Sequence, residues 1–392
     1  MTNMVPKGWQ LLKLAHILYL EYGKGLANRQ RKIGIYPVLG SNGIIGYHNK
    51  SLIKGPGIVI GRKGTIGAIN WIDSDFWPID TTFYVKIIAD VDLKWLFHSL
   101  NYLNLPKLGL SDVVPGLKRE LVYGLKLLCP TLPEQKEIAE VLSTVDQAIE
   151  KVGEAIERTQ RLKKGLMQEL LTKGIGHKEF KITKIGKMPR EWNTVVLSDI
   201  AKVRYGLGQP PSIDINGTPM IRATNIKNGQ IYREGLIYIN PKEVPPERNA
   251  HLHEGEIIVV RSGAYTGDIG LITKEWEGAV AGYDLILSPK GSVNSQFLVY
   301  YLLSPVIQRR YFSGLKVRSA QPHLNSSQVE RTPIHLPPLS EQEEIAEILS
   351  SVDKRVEALR SKKEKLEKVK KRLMEDLLAG RVRVIPLIEK ET

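Results

Sequence analysis

The feature that most constrains this chain is an internal duplication. Segment 130–149, PTLPEQKEIAEVLSTVDQAI, returns 207 residues later at 337–356 as PPLSEQEEIAEILSSVDKRV. The match runs without a gap from Pro115/Pro322 and Leu117/Leu324, through Glu134/Glu341, Gln135/Gln342 and Asp146/Asp353, to Leu166-Met167/Leu373-Met374. A second match, Pro6-Lys7-Gly8-Trp9 with Pro189-Arg190-Glu191-Trp192, has an offset of 183, so the two copies align at both ends and differ by 24 residues between them. Self-similarity on this scale makes the chain a repeat of one structural unit.

The repeated tails carry helical periodicity. Pro133-Glu134 and Ser340-Glu341 place an acidic first turn where the helix dipole favours it. Apolar residues then recur at steps of four and three: Ile138, Leu142, Val145, Ile149, Val152, Ile156, Leu166 and Leu170 in the first copy, and Ile345, Leu349, Val352, Val356, Leu359, Leu366, Leu373 and Leu377 in the second. That is a heptad seam, and a seam must bury itself against a partner. The nearest partner is its own duplicate, which predicts an antiparallel pair about a pseudo-two-fold axis, each helix about 37 residues and roughly 55 Å long. Thr159, Lys163, Lys363 and Lys370 interrupt the seam. They can fix register or open the seam, and opening is the expectation. The organisation predicted is a globular unit at 1–133, a helix at 134–173, a globular unit at 174–336, a helix at 337–380 and a tail at 381–392.

The globular units read as α+β. Gly57–Gly61, Glu256–Arg261, Thr82–Ile87 and Tyr283–Leu287 have the β-branched, glycine-bounded character of buried strands, while Asp92–Leu103 and Ser295–Leu303 have that of helices. Glycine between the strands points to a curved, loop-rich sheet and away from a parallel Rossmann sheet.

Charge is localised. The net charge is +14, of which residues 1–133 carry +8 and residues 174–336 carry +6, while the helical segments carry −1 and +1. Basic globular surfaces bind nucleic acid phosphates with salt-sensitive affinity. No apolar run reaches the roughly 18 residues of a membrane span, the start has no signal-peptide core, and a single cysteine, Cys129, forms no internal disulfide. These features predict a cytoplasmic protein in which Cys129 is a core residue. Phosphate-loop, nucleophile-elbow, His-Glu-x-x-His and adenine-methyltransferase tetrapeptide motifs are absent from the sequence. Glu179-Phe180-Lys181 and His251-Leu252-His253 lack the partners a nuclease or metal site needs, and no metal or catalytic residue is expected.

Two glycine-rich basic loops stand at equivalent places, Gly61-Arg62-Lys63-Gly64-Thr65-Ile66-Gly67 and Arg261-Ser262-Gly263-Ala264-Tyr265-Thr266-Gly267. Glycine lets backbone amides approach a phosphate, and arginine can fork onto phosphate or onto a guanine edge. Arg62, Lys63 and Thr65 are therefore candidate DNA contacts in the first unit, and Arg261, Ser262 and Tyr265 in the second. Arg29, Arg31, Lys32, Ser41 and Asn42 extend the first set. Arg204, Tyr205, Arg222, Thr224, Asn225, Lys316, Arg318 and Gln321 extend the second, since Asn, Gln and Arg can contact base edges.

With these residues in view, the chain resembles the specificity subunit of type I restriction-modification systems. The resemblance rests on Pro130-x-Leu-Pro-Glu-Gln-x-Glu-Ile138 and Pro337-x-Leu-Ser-Glu-Gln-x-Glu-Ile345 leading into long helices, on Pro6-x-Gly-Trp9 and Pro189-x-Glu-Trp192, and on Gly40-Ser-Asn-Gly43 and Arg62-x-Gly64. It covers essentially the whole chain. It implies two target recognition domains, each reading one half of an asymmetric bipartite DNA site, separated by antiparallel helices that act as a ruler. It also implies a subunit with no catalytic residues and no cofactor of its own. That subunit docks adenine-methyltransferase subunits, which bind S-adenosylmethionine, and motor-nuclease restriction subunits. Glu134, Gln135, Ile138, Glu341, Gln342 and Ile345 would be the docking surface. An RNA-binding adaptor, suggested by Gly61-x-x-Gly64, and a coiled-coil scaffold for acidic proteins are the alternatives.

Overall fold

The structure is a computed structural model and describes residues 5–109, 116–313 and 323–384. The chain forms two compact units, residues 1–154 with 360–392 and residues 155–359. The first unit contains β1 (Gln10–Lys13), β2 (Leu18–Tyr22), β3 (Tyr36–Gly40), β4 (Gly43–His48), β5 (Gly57–Gly61), β6 (Ile69–Ile72), β7 (Trp77–Pro78), β8 (Thr82–Ile87), α1 (Leu93–Tyr102), α2 (Arg119–Gly124) and β9 (Lys126–Cys129), then the start of α3 (Leu132–Lys173). Its sheets are an antiparallel β2-β8-β5-β6, a mixed β4-β3-β7 and the pair β1-β9.

The second unit repeats this plan. Its elements are β10 (Phe180–Thr183), β11 (Gly186–Pro189), β12 (Asn193–Val196), α4 (Leu197–Ile200), β13 (Ala201–Tyr205), β14 (Ile213–Ile221), β15 (Ile226–Lys227), β16 (Gln230–Ile231), β17 (Ile237–Ile239), β18 (Ile257–Val259), β19 (Ile269–Leu271), β20 (Val280–Ala281), β21 (Leu285–Pro289), α5 (Ser295–Leu303), α6 (Ser326–Glu330), β22 (Pro333–Leu336) and the start of α7 (Leu339–Leu378). The antiparallel sheet is β13-β21-β18-β19, the mixed sheet β17-β14-β20 and the closing pair β12-β22. The β15-β16 hairpin lies in the longer stretch between β14 and β18.

The central strands read as uninterrupted apolar runs because both faces are buried. In β5, Ile58 and Ile60 join the main core while Val59 packs with Leu39, Ile72 and Phe76. In β18, Ile257 and Val259 face the main core and Ile258 packs with Ile221 and Trp276. Each fully buried side chain of this kind stabilises the fold by roughly 1.5–3 kcal/mol.

Each core is completed by both long helices. In the first unit, Ile138, Ala139 and Leu142 of α3 meet the core that Leu377 and Leu378 of α7 also enter. In the second, Leu170 and Leu171 of α3 share the core with Ile345, Ala346 and Leu349 of α7. The start of one helix thus lies against the end of the other, the antiparallel pairing that the heptads require. The expectation that the seam opens is corrected at Lys163 and Lys370. Lys370 Nζ lies 2.6 Å from Asp146 Oδ1 in the first unit, and Lys163 Nζ lies 2.6 Å from Asp353 Oδ1 in the second. All four side chains are largely shielded. Both lysines and both aspartates are related by the same offset of 207, so one ion pair is built twice and fixes the register.

The duplicated Glu-Gln pair proves to be the socket that joins helix to domain, which corrects its expected role as a docking surface. Pairing of β1 with β9 sets Gln10 opposite Cys129 and so carries Trp9 to the start of α3. There Trp9 Nε1 donates to Glu134 Oε2 at 2.8 Å, and Arg383 Nε and Nη2 donate to the same carboxylate at 2.7 and 2.8 Å. In the second unit Trp192 Nε1 donates to Glu341 at 2.9 Å, with Ile175 N and His177 Nε2 also at 2.9 Å. Gln135 Oε1 accepts from the amide of Asp92, the N-cap of α1, and Gln342 Oε1 accepts from the amide of Asn294, the N-cap of α5. Each glutamine donates in turn to the carbonyl five residues earlier, Pro130 or Pro337, at 2.9 Å. Glu134, Gln135, Ile138, Gln342 and Ile345 are buried and Glu341 nearly so. A buried group whose hydrogen-bonding capacity is used internally offers nothing to a partner.

Candidate nucleic-acid interface

Strand pairing brings the two glycine-rich loops to the same place in each unit. In the second, β13 ends at Tyr205, β18 leads into Arg261, and β21 is preceded by Tyr283 and Asp284, so three neighbouring strand ends converge. The Arg261 guanidinium lies between two exposed rings, 4.7 Å from the centroid of Tyr205 and 4.4 Å from that of Tyr283. Its backbone is clamped: Arg261 N donates to Asp284 Oδ1 at 3.1 Å and Arg261 O accepts from Leu324 N at 2.7 Å. Arg261 Nη2 meets His323 Nε2 at 2.8 Å, and since arginine only donates, that nitrogen accepts and the His323 proton sits on Nδ1. Burial and the adjacent Arg261 push the His323 imidazole down. Burial pushes the Asp284 carboxyl up to about 6 against the pull of Arg261. Tyr205 Oη hydrogen-bonds both the hydroxyl and the amide of Ser326 at 3.1 Å, and these bonds hold its phenol below the usual range.

The first unit builds the equivalent stack differently. Arg62 lies over Tyr22 at 5.2 Å and Phe83 at 5.9 Å, and its Nη2 donates to Asp80 O at 2.8 Å. Leu117 N donates to Arg62 O at 2.9 Å, the counterpart of the Leu324 bond. Where Ser326 meets Tyr205, Arg119 takes the position 207 residues earlier and covers Tyr22 at 4.7 Å and Tyr19 at 5.7 Å. Tyr22 is thus approached by two guanidinium groups, each worth roughly 0.5–2 kcal/mol as a cation–π contact. Gly64 and Gly263 take φ of +75° and +82°, which glycine adopts without strain at these turns.

The other candidates divide. Lys63, Thr65, Asn42, Arg29, Lys32, Thr224 and Tyr265 are exposed, and Ser262 is half-buried in the second loop. Arg222 is half-buried beside Gly282 and donates to Gly235 O at 2.7 Å. The Nε atoms of Arg62, Arg222 and Arg261 are shielded without a hydrogen bond, and Nη2 of each is engaged within its own unit. Arg204 and Asn225 are internal braces, while Ser41 and Arg31 make some of their hydrogen bonds within the unit. All five Arg204 donors are committed, to Glu256 at 2.6 and 2.8 Å, to Ser288, and to the carbonyls of His251 and Asn249. Asn225 is buried and donates to Tyr232 O and Glu234 O. Ser41 Oγ binds the carbonyls of Lys63 and Thr81, and Arg31 binds those of Leu26 and Ile45. Lys316, Arg318 and Gln321 lie outside the described residues. Sequence reasoning missed Tyr22, Tyr19, Arg119 and Tyr283. The available signal was that Tyr22 and Tyr205 share the offset of 183 and Arg119 falls inside the repeat of offset 207.

Comparison with known proteins agrees with the duplicated architecture. The chain matches the family described as Type I restriction modification DNA specificity domain twice, over residues 6–158 and 189–368. It belongs to that family. It is 27 % identical over 416 aligned residues to the type I restriction enzyme MjaVIII specificity subunit of Methanocaldococcus jannaschii, covering 97 % of this chain and 94 % of that one. Its fold is similar to the crystal structure of a type I restriction-modification system S subunit from M. genitalium, with a TM-score of 0.66 and 14 % identity over 96 % of this chain and 98 % of that one. A chain from a solved type I restriction-modification system also shares the fold, with a TM-score of 0.57 and 15 % identity over 97 % of this chain and all of that one. No helix among the described residues is long and apolar enough to cross a membrane.

Proposed function

We propose that this chain is the DNA-specificity subunit of a type I restriction-modification complex, without catalytic residues or a cofactor of its own. Each unit reads one half of an asymmetric two-part duplex site. The long helices set the distance between the half-sites, and adenine-methyltransferase subunits, which carry S-adenosylmethionine, assemble with the chain together with restriction subunits. The observation that carries this reading is one arginine–tyrosine stack per unit, at equivalent positions and with different neighbours. Arg62 is joined by Arg119, whereas Arg261 is enclosed by a second tyrosine and His323. Equivalent frames with different reading groups are what two unlike half-sites require, and a guanidinium held on an aromatic face and anchored through Nη2 keeps its planar fork in one orientation for a base edge.

Fluorescence anisotropy of the chain assembled with its methyltransferase checks the partner class. Duplex DNA is expected to bind at least tenfold tighter than single-stranded RNA of the same sequence, with log affinity falling linearly in log salt. A preference for single-stranded RNA would favour the adaptor reading.

A further inference from the structure

Residue 119 opens α2 and falls inside the repeat of offset 207, opposite Ser326. Around it the two copies keep the same frame. Leu117 and Leu324 donate to the carbonyl of the loop arginine in their own unit, and Val122 and Val329 are both buried. The side chain at 119 breaks the match. In the second unit Ser326 fastens Tyr205 through its hydroxyl and its amide, and in the first an arginine stands in its place.

Two side chains of α2, one turn apart, lock onto β2, the edge strand of its sheet. Tyr123 Oη accepts from Leu20 N at 3.0 Å, and Arg119 Nη1 donates to Leu20 O at 3.3 Å and to Tyr19 Oη at 3.2 Å. These bonds, with the rings of Tyr22 and Tyr19 against the guanidinium, fix its plane. They use Nη1 alone. Among the described residues Nε and Nη2 of Arg119 have no hydrogen bond, and neither atom is shielded. Together they are the side-on edge of the guanidinium, two parallel N–H groups in one plane. Arg62, against the same Tyr22, differs: its Nε is shielded and its Nη2 is committed to Asp80 O. Neither arginine enters an ion pair among the described residues. Two cations thus share one ring with no carboxylate paired to either, and the complete open fork belongs to Arg119.

A free pair of parallel donors fits an edge with two adjacent acceptors. On duplex DNA that edge is guanine O6 and N7 in the major groove, or two oxygens of a phosphate. The repeat separates the two. Both units meet the same kind of phosphate backbone, so a backbone contact serves equally in either copy, whereas a base contact belongs to one half-site. A fork at 119 against a hydroxyl at 326 fits the base. We infer that Arg119 is a specificity-determining residue of the first unit, forking onto a guanine in the half-site that this unit reads. It rests on the DNA-specificity role proposed above and adds to it one residue and one base.

The test is competition binding of the chain assembled with its methyltransferase, over single-base variants of the half-site that Arg62→Ala relaxes. A guanine on one strand of that half-site is expected to be preferred about tenfold or more over the other three bases. Replacing it with 7-deazaguanine, which lacks the N7 acceptor, is expected to weaken wild type severalfold. Arg119→Ser, which brings in the second unit's residue, and Arg119→Lys, which keeps the charge, are each expected to cut the preference below about threefold. Both should be indifferent to 7-deazaguanine and leave the other half-site unchanged. A loss spread equally over all sequences and restored by Arg119→Lys assigns Arg119 to a phosphate and overturns the inference while the specificity role stands. A half-site that requires no guanine, or a guanine preference that survives both substitutions, overturns it in the same way. An assembled wild type that prefers no two-part site overturns the specificity role and the inference with it.

Discussion

Glu341→Ala is expected to destabilise the second unit by about 3–5 kcal/mol, because it orphans three donors at once and each buried unsatisfied group costs roughly 1–3 kcal/mol. Those donors are the buried Trp192 indole, the Ile175 amide and His177 Nε2, all at 2.9 Å. At roughly 2–4 °C per kcal/mol for a domain of this size, the thermal transition should fall by about 10 °C. Glu341→Gln keeps one acceptor oxygen and should lose less than half as much. Glu134→Ala in the first unit should cost less than Glu341→Ala, since the Arg383 side chain it releases is 35 % exposed and can be solvated. Differential scanning calorimetry of the three variants decides the matter. A shift under 2 °C for Glu341→Ala, with loss of partner binding, would return the Glu-Gln pair to the docking surface that its sequence suggested.

The second large effect concerns recognition. Arg261→Ala is expected to weaken binding to the cognate duplex by about 2–3 kcal/mol, or 30- to 150-fold, confined to one half-site. Arg62→Ala should do the same at the other half-site. Arg261→Lys separates reading from charge. It keeps the cation but loses the planar fork that rests between Tyr205 and Tyr283, so discrimination at one base pair should relax while the salt slope stays constant. Competition binding with a panel of single-base variants of each half-site measures both. A loss spread equally over all sequences would make Arg261 a phosphate contact.

The legible parts of the fold were those dictated by periodicity. The heptads demanded a partner and the duplication offered one, so antiparallel pairing followed without any contact being known. The run Gly57–Gly61 could be read as a strand because β-branched residues between glycines suit little else. Polar residues were where reading failed. Glu134 and Gln135 look like solvated first-turn residues because their partners, Trp9 and the amide of Asp92, are 125 and 43 residues away in sequence. Lys163 and Lys370 looked like gaps in a seam, although Asp146 and Asp353 share their offset and a repeated charge pair was there to be read. At the interface, glycine spacing revealed Arg62 and Arg261. It could not reveal the rings beneath them, which arrive on other strands, nor that the donors of Arg204 are all used within the unit.

That two unlike units read one two-part duplex site is decided by sequencing adenine methylation in the host genome, with and without this chain. A single asymmetric motif of two short half-sites with a fixed gap is expected, lost on deletion, and reduced to one specified half-site by Arg62→Ala or Arg261→Ala. Methylation unchanged by deletion, or a continuous motif altered identically by both substitutions, would contradict it.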